Sequence, residues 1–221
     1  GIGTTERCNL SCTMCHFNSN PSIRKYRDLE SRLVYKFISE IPLQEYLWFG
    51  GLGEYLLDPN AVQYMEYANK LGQKPCLLTN GQLLDSSTCE QILKAGVRLI
   101  RISVDAISTN DYSEIRRGGD FQKILNTCAY LKGRKIDYPD LKVEINNTLF
   151  ENTFENQNDF IKFWDKKVDA VNFNAEYYNI YDFRNLFFQP QNRVDCEIAL
   201  HLLPSGKISP CCAINVVQHY E

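Results

Sequence analysis

Three cysteines near the start of the chain constrain what it can fold around more than any other feature. Cys8, Cys12 and Cys15 fall within eight residues, separated by three and then by two residues. Iron–sulfur clusters are held by cysteine thiolates, and closely spaced cysteine runs are typical of them. A four-iron cluster has four corners, so three thiolates leave one iron open to a ligand that is not protein. The motif therefore predicts a cluster that can do chemistry as well as carry electrons.

The alternatives for this motif are a structural zinc site and a chance cluster of buried thiols. Structural zinc takes four ligands, commonly as two separated pairs. No second cysteine pair lies near the first in the sequence. The spacing therefore favours an iron–sulfur cluster.

The Cys-x3-Cys-x2-Cys spacing resembles the signature of the radical S-adenosylmethionine (radical SAM) superfamily. The resemblance implies a [4Fe-4S] cluster on Cys8, Cys12 and Cys15, whose open iron binds the amino and carboxylate groups of SAM. An electron from the cluster then breaks the S–C5′ bond, and the 5′-deoxyadenosyl radical takes a hydrogen atom from the substrate. In such enzymes the protein positions and shields the cofactor. Met14 stands where the family usually has an aromatic residue, and its sulfur can still pack on a ring.

Composition excludes several other classes of protein. The 221 residues fit one domain with a small appendage, and a net charge of −3 gives no basic surface for nucleic acid. No run approaches the ~18 apolar residues that a membrane span needs, and the N-terminus lacks a secretory pattern. Nine cysteines that include a cluster motif, and that are not arranged as a disulfide scaffold, indicate a reducing, cytoplasmic setting.

Apolar runs alternate with helical patterns along most of the chain. A truncated strand precedes the cysteine motif, and five further strands are predicted at 45–49, 75–79, 97–105, 141–148 and 170–174. Right-handed βαβ crossovers would then build a parallel sheet of six β/α units. A Rossmann arrangement also fits the alternation, but its glycine-rich turn should follow the first strand, where the cysteine loop lies. The radical SAM resemblance implies a partial (β/α)6 TIM-like barrel, with the cluster at the carboxyl ends of the strands.

Two helix starts are predicted from local sequence. Asn60 is expected to cap the helix that follows it. Ser87 and Glu90 have the spacing of a capping box, which predicts that a helix starts at Ser87.

The glycine-rich segment after the second strand resembles the family's Gly-Gly-Glu-Pro stretch. By that resemblance Gly51 and Gly53 offer backbone contacts to SAM, and Glu54 lies near the SAM ammonium or fixes the loop. Glycines allow this because a backbone without Cβ can approach a ligand closely. Tyr55 stands in place of the usual proline. Thr79, Asn80 and Gly81 are similar to a Thr-Asn-Gly turn of the family.

The later strand ends supply further polar candidates. Alternation puts Arg101, Ser103 and Asp105 on one face of a strand. The resemblance assigns Ser103 and Asp105 to SAM or substrate, and an Arg101–Asp105 salt bridge is the alternative for Arg101. Of Asn146 and Asn147, one is expected to bind the adenine or ribose of SAM and the other to face outward; Asn146 is the candidate carried forward.

Two consecutive arginines, Arg116 and Arg117, precede Gly118 and Gly119. The stretch resembles a family segment in which an arginine pairs with the SAM carboxylate. A planar guanidinium suits that task because it binds a carboxylate through two parallel hydrogen bonds. Arg117 is the candidate carried forward, although the sequence does not decide between the two.

A second cysteine-bearing feature lies near the end of the chain. Residues 198–203 and 207–209 predict a β-hairpin around Pro204-Ser205-Gly206, with Cys196 before it and Cys211 after it. The spacing resembles the start of the auxiliary-cluster domains, called SPASM and twitch, of many radical SAM enzymes. Cys196, Cys211 and Cys212 are therefore candidate ligands of a second cluster; structural or disulfide-forming thiols are the alternative. Three other cysteines are predicted to be core residues: Cys76, Cys89 and Cys128.

These features predict a radical SAM core at 1–175, a linker at 176–195 that lies across the barrel, and an auxiliary region at 196–221. Because the first residue is not methionine and the chain stops just past a cysteine pair, we expect further residues beyond both ends.

The resemblance implies an enzyme that oxidises or otherwise modifies a peptide or protein, or a small sugar or aminocyclitol. Its partners would be SAM and a reducing protein such as flavodoxin or ferredoxin. A redox-neutral radical epimerase is the alternative within the family. A non-catalytic iron–sulfur electron-transfer protein is the alternative from another class, but a shuttle needs no open iron.

Overall fold

The apolar runs form a parallel β-sheet whose five strands lie in the order in which they occur in the chain. The computed structural model describes residues 1–19, 25–149, 157–175 and 200–209. The strands are β1 (Leu47–Phe49), β2 (Pro75–Thr79), β3 (Leu99–Ser103), β4 (Lys142–Leu149) and β5 (Ala170–Ala175). All neighbouring strands pair in parallel. The predicted α/β class is therefore confirmed.

The segment before the cysteine motif occupies the sixth strand position. The Ile2 amide donates to the Trp48 carbonyl at 2.8 Å, and the Gly50 amide donates to the Ile2 carbonyl at 3.0 Å. Ile2 pairs in parallel with Phe49 and is fully buried. The first strand is thus reduced to a one-residue bridge beside β1.

The predicted hairpin is also present, and it continues the sheet on the other side of Ile2. Its strands, β6 (His201–Leu202) and β7 (Ile208–Ser209), are antiparallel. Gly206 in the turn has a φ of +77°, a conformation that favours glycine. Leu202 pairs in parallel with Ile2. Among the described residues, β5 and the hairpin do not pair with each other, so the sheet is open.

Helices connect successive strands and cover one face of the sheet. They are α1 (His16–Ser19), α2 (Ser31–Glu40), α3 (Ala61–Lys70), α4 (Ser86–Lys94), α5 (Thr109–Ile115), α6 (Phe121–Arg134) and α7 (Gln157–Trp164), with a 3-10 turn at Tyr55–Leu57. Buried apolar residues of α2 to α7 join one cluster with the strands. Full burial of a large apolar side chain contributes about 1.5–3 kcal/mol. Among the helices that the structure describes, none has the length and apolar content to cross a bilayer.

The two faces of the sheet differ in chemistry, because successive side chains of a strand point to opposite faces. The face toward the helices is mostly apolar, and its apolar residues belong to the buried cluster; they include Phe49, Leu77, Ile100, Ile102, Val143 and Ile145. We call the other face the inner face; it carries Trp48, Leu78, Arg101, Ser103, Glu144, Asn146, Asn172 and Asn174. Register pairs Arg101 with Glu144 and Ser103 with Asn146, so their side chains stand side by side.

Helix starts are where the sequence prediction fails. Helix α4 begins at Ser86. Its N-cap is Asp85, whose carboxylate accepts from the Thr88 amide at 2.7 Å. The predicted Ser87–Glu90 capping box is wrong, because Glu90 instead accepts from the Tyr130 hydroxyl of α6 at 2.9 Å.

The cap predicted for α3 is in the right place but does not act through its side chain. Asn60 occupies the N-cap position without a side-chain cap hydrogen bond. The Asp58 carboxylate instead accepts from the Asn60 amide at 2.8 Å. Helix α5 was not predicted, although Ser108 caps it by accepting from the Asp111 amide at 3.2 Å. Ser108 and Asp111 have the Ser-x-x-Asp spacing that signals such a start.

The cysteines outside the motif divide between buried positions and undescribed ones. Cys89 and Cys128 are in the apolar cluster, as predicted. Cys76 is buried as well but lies outside that cluster. The predicted linker and the three cysteines near the end of the chain, Cys196, Cys211 and Cys212, lie outside the described residues.

Candidate active site

The cysteine motif forms a loop that is tied to the end of helix α5. The Ser11 amide donates to the Arg117 carbonyl and the Thr13 amide to the Ile115 carbonyl, both at 2.9 Å. Within the loop, the Cys15 amide donates to the Cys12 carbonyl at 3.1 Å. Because the loop follows the first strand, it lies at the carboxyl edge of the sheet, where chemistry is found in β/α barrels.

The three motif thiols lie near one another in this loop. Cys12 is buried, whereas Cys8 and Cys15 are half-buried. Burial raises the pKa of the Cys12 thiol to about 11; the Arg116 guanidinium acts in the opposite direction, and the thiols of Cys8 and Cys15 add to the rise. Cysteine binds metal as the thiolate, so ligation would release this proton.

The donor set of the loop suits an iron–sulfur cluster. Over the described ranges, no three His, Cys, Asp or Glu side chains are gathered closely enough to hold one metal ion. Thiolates of a four-iron cluster bind different irons, so they stand further apart than the ligands of a single ion. Two N–H groups approach Cys8 Sγ, the Leu10 amide at 3.4 Å and Asn80 Nδ2 at 3.8 Å. Hydrogen bonds to sulfur are typical of protein-bound clusters.

Glu54 joins the glycine-rich loop to the end of strand β2. Its two carboxylate oxygens accept from the Thr79 hydroxyl and the Asn80 amide, both at 2.7 Å, and one also accepts from the Leu56 amide at 3.3 Å. Glu54 is buried, and this burial raises its pKa although these hydrogen bonds lower it. Of the two roles considered for Glu54, the geometry matches the one that fixes the loop.

The same network reaches the cysteine loop through Asn80. Besides Cys8 Sγ, the Asn80 side-chain amide donates to Asn9 Oδ1 at 2.8 Å. Asn80 is itself buried, and its Oδ1 accepts from the Gln82 amide at 2.9 Å. The Thr-Asn-Gly tripeptide is also a common turn, yet Asn80 is the residue that connects Glu54 to the motif.

The glycines of the loop allow two segments to pass closely. A Cβ on Gly53 would lie 2.4 Å from the Arg7 carbonyl oxygen and 2.5 Å from that of Thr5. A Cβ on Gly51 would lie 3.1 Å from the Cα of Gly3. Glycine at 53 is thus required by the backbone that leads into the cysteine motif.

A buried ion pair lies beside Cys12. Arg116 Nε is 2.6 Å from Asp105 Oδ2, and Arg116 Nη1 is 4.0 Å from Cys12 Sγ. The other oxygen of Asp105 accepts from the Thr148 amide at 2.6 Å. Arg117, by contrast, has an exposed side chain that makes no hydrogen bond or ion pair with the described residues. The structure therefore places Arg116, and not the candidate Arg117, beside the cysteine motif.

A second ion pair, between Arg101 and Glu144, lies on the inner face of strands β3 and β4. Both Arg101 Nε and Nη2 donate to Glu144 Oε2, at 3.0 and 2.7 Å, and the guanidinium lies 4.4 Å from the centre of the Trp48 ring. Asn172 Nδ2 donates to the same oxygen at 3.0 Å. The alternative of an Arg101–Asp105 salt bridge is therefore wrong, because Asp105 pairs with Arg116.

The remaining candidates lie between these two ion pairs. Ser103 is half-buried, and within the described part of the chain its hydroxyl has no hydrogen-bond partner. Asn146 Oδ1 accepts from Asn174 Nδ2 at 2.7 Å. Asn147 points to the opposite face of β4, as predicted, but it is buried rather than exposed, with Nδ2 donating to the Val104 carbonyl at 3.4 Å.

Comparison with known proteins identifies the class to which this arrangement belongs. Residues 2–163 match the Radical SAM superfamily. The chain therefore belongs to the radical SAM superfamily, and this membership implies a [4Fe-4S] cluster and SAM as cofactors.

Individual curated relatives share between a quarter and a third of their residues with this chain over the aligned regions. A tungsten-containing aldehyde ferredoxin oxidoreductase cofactor-modifying protein of Pyrococcus furiosus is 26% identical over 151 residues, covering 64% of this chain and 41% of the relative. A GTP 3′,8-cyclase of Clostridium perfringens is 29% identical over 195 residues, covering 86% of this chain and 54% of the relative. The chain thus spans about half the length of these curated relatives.

The fold itself is seen in a solved structure. Streptococcus suis SuiB bound to its precursor peptide SuiA superposes with a TM-score of 0.69 at 15% identity, covering 98% of this chain and 60% of SuiB. At this identity the similarity shows the fold alone. It agrees with the partial TIM-like barrel that the sequence predicts.

Proposed function

We propose that this chain carries the catalytic core of a radical SAM enzyme, with a [4Fe-4S] cluster held by Cys8, Cys12 and Cys15. The observation that carries the proposal is the cysteine loop itself. Three neighbouring thiols lie at the carboxyl edge of a parallel sheet, and N–H donors from other segments approach two of their sulfurs. When bound, the cluster and SAM together supply a 5′-deoxyadenosyl radical that takes a hydrogen atom from the substrate.

The proposed SAM residues fall into two groups, according to whether their polar atoms already bond to other protein groups. Glu54, Asp105 and Gly53 are engaged by the protein, so they hold the strand ends in position. Ser103, Asn146 and Arg117 have donor atoms without protein partners among the described residues. These three side chains, with the exposed backbone of Gly51, are the groups we propose to contact SAM.

We propose the inner face as the surface that receives the substrate. Arg101 and Glu144 neutralise each other there, and Asn172 donates to Glu144. The amides of Asn146 and Asn174 bond to each other on the same face. A neutral group with hydroxyl or amide functions suits such a surface better than an unpaired charge does, because a buried unpaired charge is costly. A small sugar or aminocyclitol and a peptide both offer these functions.

The names of similar proteins do not decide between a small-molecule substrate and a peptide. One relative is named for a nucleotide reaction, and SuiB is described with a precursor peptide. We propose oxidation or another modification of a peptide, protein or small polar metabolite, in the cytoplasm, with an electron supplied by a flavodoxin or ferredoxin. A redox-neutral epimerisation would need no second cluster, and a pure electron-transfer protein would not turn over SAM.

The decisive experiment is anaerobic reconstitution with iron and sulfide. We expect four irons per chain on the motif, and 5′-deoxyadenosine from SAM when the protein is reduced. A Cys8→Ala/Cys12→Ala/Cys15→Ala variant should lose both. Full SAM cleavage by that variant would contradict the proposal, and a bound cluster without any SAM cleavage would favour the electron-transfer alternative.

A further inference from the structure

The ion pair between Asp105 and Arg116 is placed to act on the cluster rather than on SAM. The sequence offers Arg116 and Arg117 alike as partners of the SAM carboxylate, but two nitrogens of Arg116 already face protein groups. Nε donates to Asp105 Oδ2 at 2.6 Å, and Nη1 lies 4.0 Å from Cys12 Sγ. Arg116 is buried, with only 9% of its side chain exposed.

We propose that Arg116 is a positioning residue of the iron–sulfur cluster that sets its reduction potential through the sulfur of Cys12. The inference rests on the proposed function, since it requires a cluster on Cys8, Cys12 and Cys15. It goes beyond that function because a residue outside the motif, Arg116, would control how readily the cluster accepts an electron.

The direction of the effect follows from charge. Reduction adds one negative charge, which is shared by the irons and the sulfurs that surround them. A guanidinium beside Cys12 Sγ stabilises that added charge, and the interaction is strong because the site is buried and water does not screen it. Cluster potentials depend on net charge, hydrogen bonds to sulfur and solvent exposure. Arg116 should therefore raise the potential and make the cluster easier to reduce.

Asp105 keeps the guanidinium in this position without cancelling it. The side chain of Asp105 is fully buried and is fixed on its other oxygen by the Thr148 amide at 2.6 Å. Because Asp105 binds Nε and Cys12 faces Nη1, the positive group lies between the carboxylate and the sulfur. The nearer charge has the larger effect on the cluster.

The contacts at two of the cluster cysteines differ in charge. Cys8 Sγ faces two uncharged donors, the Leu10 amide at 3.4 Å and Asn80 Nδ2 at 3.8 Å. Cys12 Sγ faces the charged guanidinium of Arg116 at 4.0 Å.

The test is a redox titration of the reconstituted cluster in the absence of SAM, followed by the EPR signal of its reduced form. In Arg116→Gln we expect the reduction equilibrium to become about tenfold less favourable, which is 59 mV for a one-electron couple. Arg116→Lys keeps the charge and should stay close to wild type. Arg117→Gln removes the same charge one residue away, at an exposed position, and should shift the potential much less.

A second variant covers the case in which Arg116→Gln fails to fold because Asp105 is left unpaired. Asp105→Asn/Arg116→Gln replaces the pair by two hydrogen-bonding amides and should still lower the potential, by less than the single change. The inference is overturned if this double variant, or a folded Arg116→Gln with the wild-type iron content, titrates like wild type, or if Arg117→Gln shifts the potential equally. Wild-type protein that binds no cluster would overturn the proposed function and this inference with it.

Discussion

At the scale of single residues, the site separates groups that hold the protein together from groups that are available to a ligand. Glu54 has both oxygens engaged by Thr79, Asn80 and Leu56. Arg117 has no side-chain partner among the described residues. Losing a hydrogen bond to a charged group costs about 1.5–3 kcal/mol. That loss weakens ligand binding where the partner is SAM, and it also disturbs the site where the partner is another part of the protein.

This difference predicts distinct outcomes for two alanine variants. Arg117→Ala should weaken SAM binding by about ten- to a hundred-fold, the equivalent of one charged hydrogen bond, and leave the iron content per chain at its wild-type value. Glu54→Ala should weaken SAM binding and also lower iron content, because Glu54 orients Asn80 beside Cys8. Titration with SAM and iron analysis on the same samples measure both effects.

The control for these variants is Arg32→Ala, which removes an exposed arginine on α2 whose partner is Glu30. It should bind SAM like wild type. Unchanged SAM titrations for both Arg117→Ala and Glu54→Ala would show that SAM binds elsewhere. Loss of iron in Arg117→Ala would instead give Arg117 a structural role.

The position of the candidate site could be predicted from the sequence at this scale, but the hydrogen bonds and ion pairs within it could not. The cysteine spacing and the Gly51–Glu54 segment are local patterns, and both lie where they were expected. The choice between Arg116 and Arg117 depends on how helix α5 ends, and α5 itself was not predicted. Whether Arg101 pairs with Asp105 or with Glu144 depends on strand register, which local sequence does not encode.

At the scale of elements, strands were predicted more accurately than helix starts. A strand covered by helices is an apolar run bounded by polar residues, and β2 matches its prediction at both ends. A helix start depends on which of several nearby side chains reaches a free amide, and Asp85, Ser86 and Ser87 are all suitable caps. The backbone of Asp85 is extended, and its carboxylate reaches Thr88, which decides the position.

The cap of α4 gives a prediction at this scale. Asp85→Ala should lower the free energy of unfolding by about 1 kcal/mol, because the Thr88 amide loses its acceptor. Ser87→Ala, at the cap position suggested by the sequence, should change stability by less than about 0.5 kcal/mol. Denaturant unfolding of the two variants and wild type measures the difference. Equal losses, or a larger loss in Ser87→Ala, would contradict the assignment of Asp85 as the cap.

At the scale of the whole molecule, the hairpin extends the sheet, and both of its chain ends lie at the edge where the parallel strands begin. His201 pairs with Ser209, so the chain enters and leaves the hairpin at one end. Because β6 runs parallel to the first strand, this open end lies at the edge where the strands begin. Cys8 follows the opposite edge, and the polar inner face lies between the two.

This arrangement supports the proposal that Cys196 and Cys211, on either side of the hairpin in the sequence, bind a second cluster. A Cys196→Ala/Cys211→Ala variant should then contain less iron, while the cluster on Cys8, Cys12 and Cys15 stays in place. Cleavage of SAM without substrate should continue, since it needs only the first cluster. Product formation should fail, because an electron left on the substrate has no acceptor.

The matched control is Cys89→Ala/Cys128→Ala, which removes two thiols from the apolar core and should leave iron content unchanged. Iron per chain and product in the Cys196→Ala/Cys211→Ala variant then decide between the reaction classes. Unchanged iron with normal product would make these thiols structural. The chain would then catalyse a redox-neutral reaction such as epimerisation, in which a hydrogen atom is returned to the substrate and no electron has to leave it.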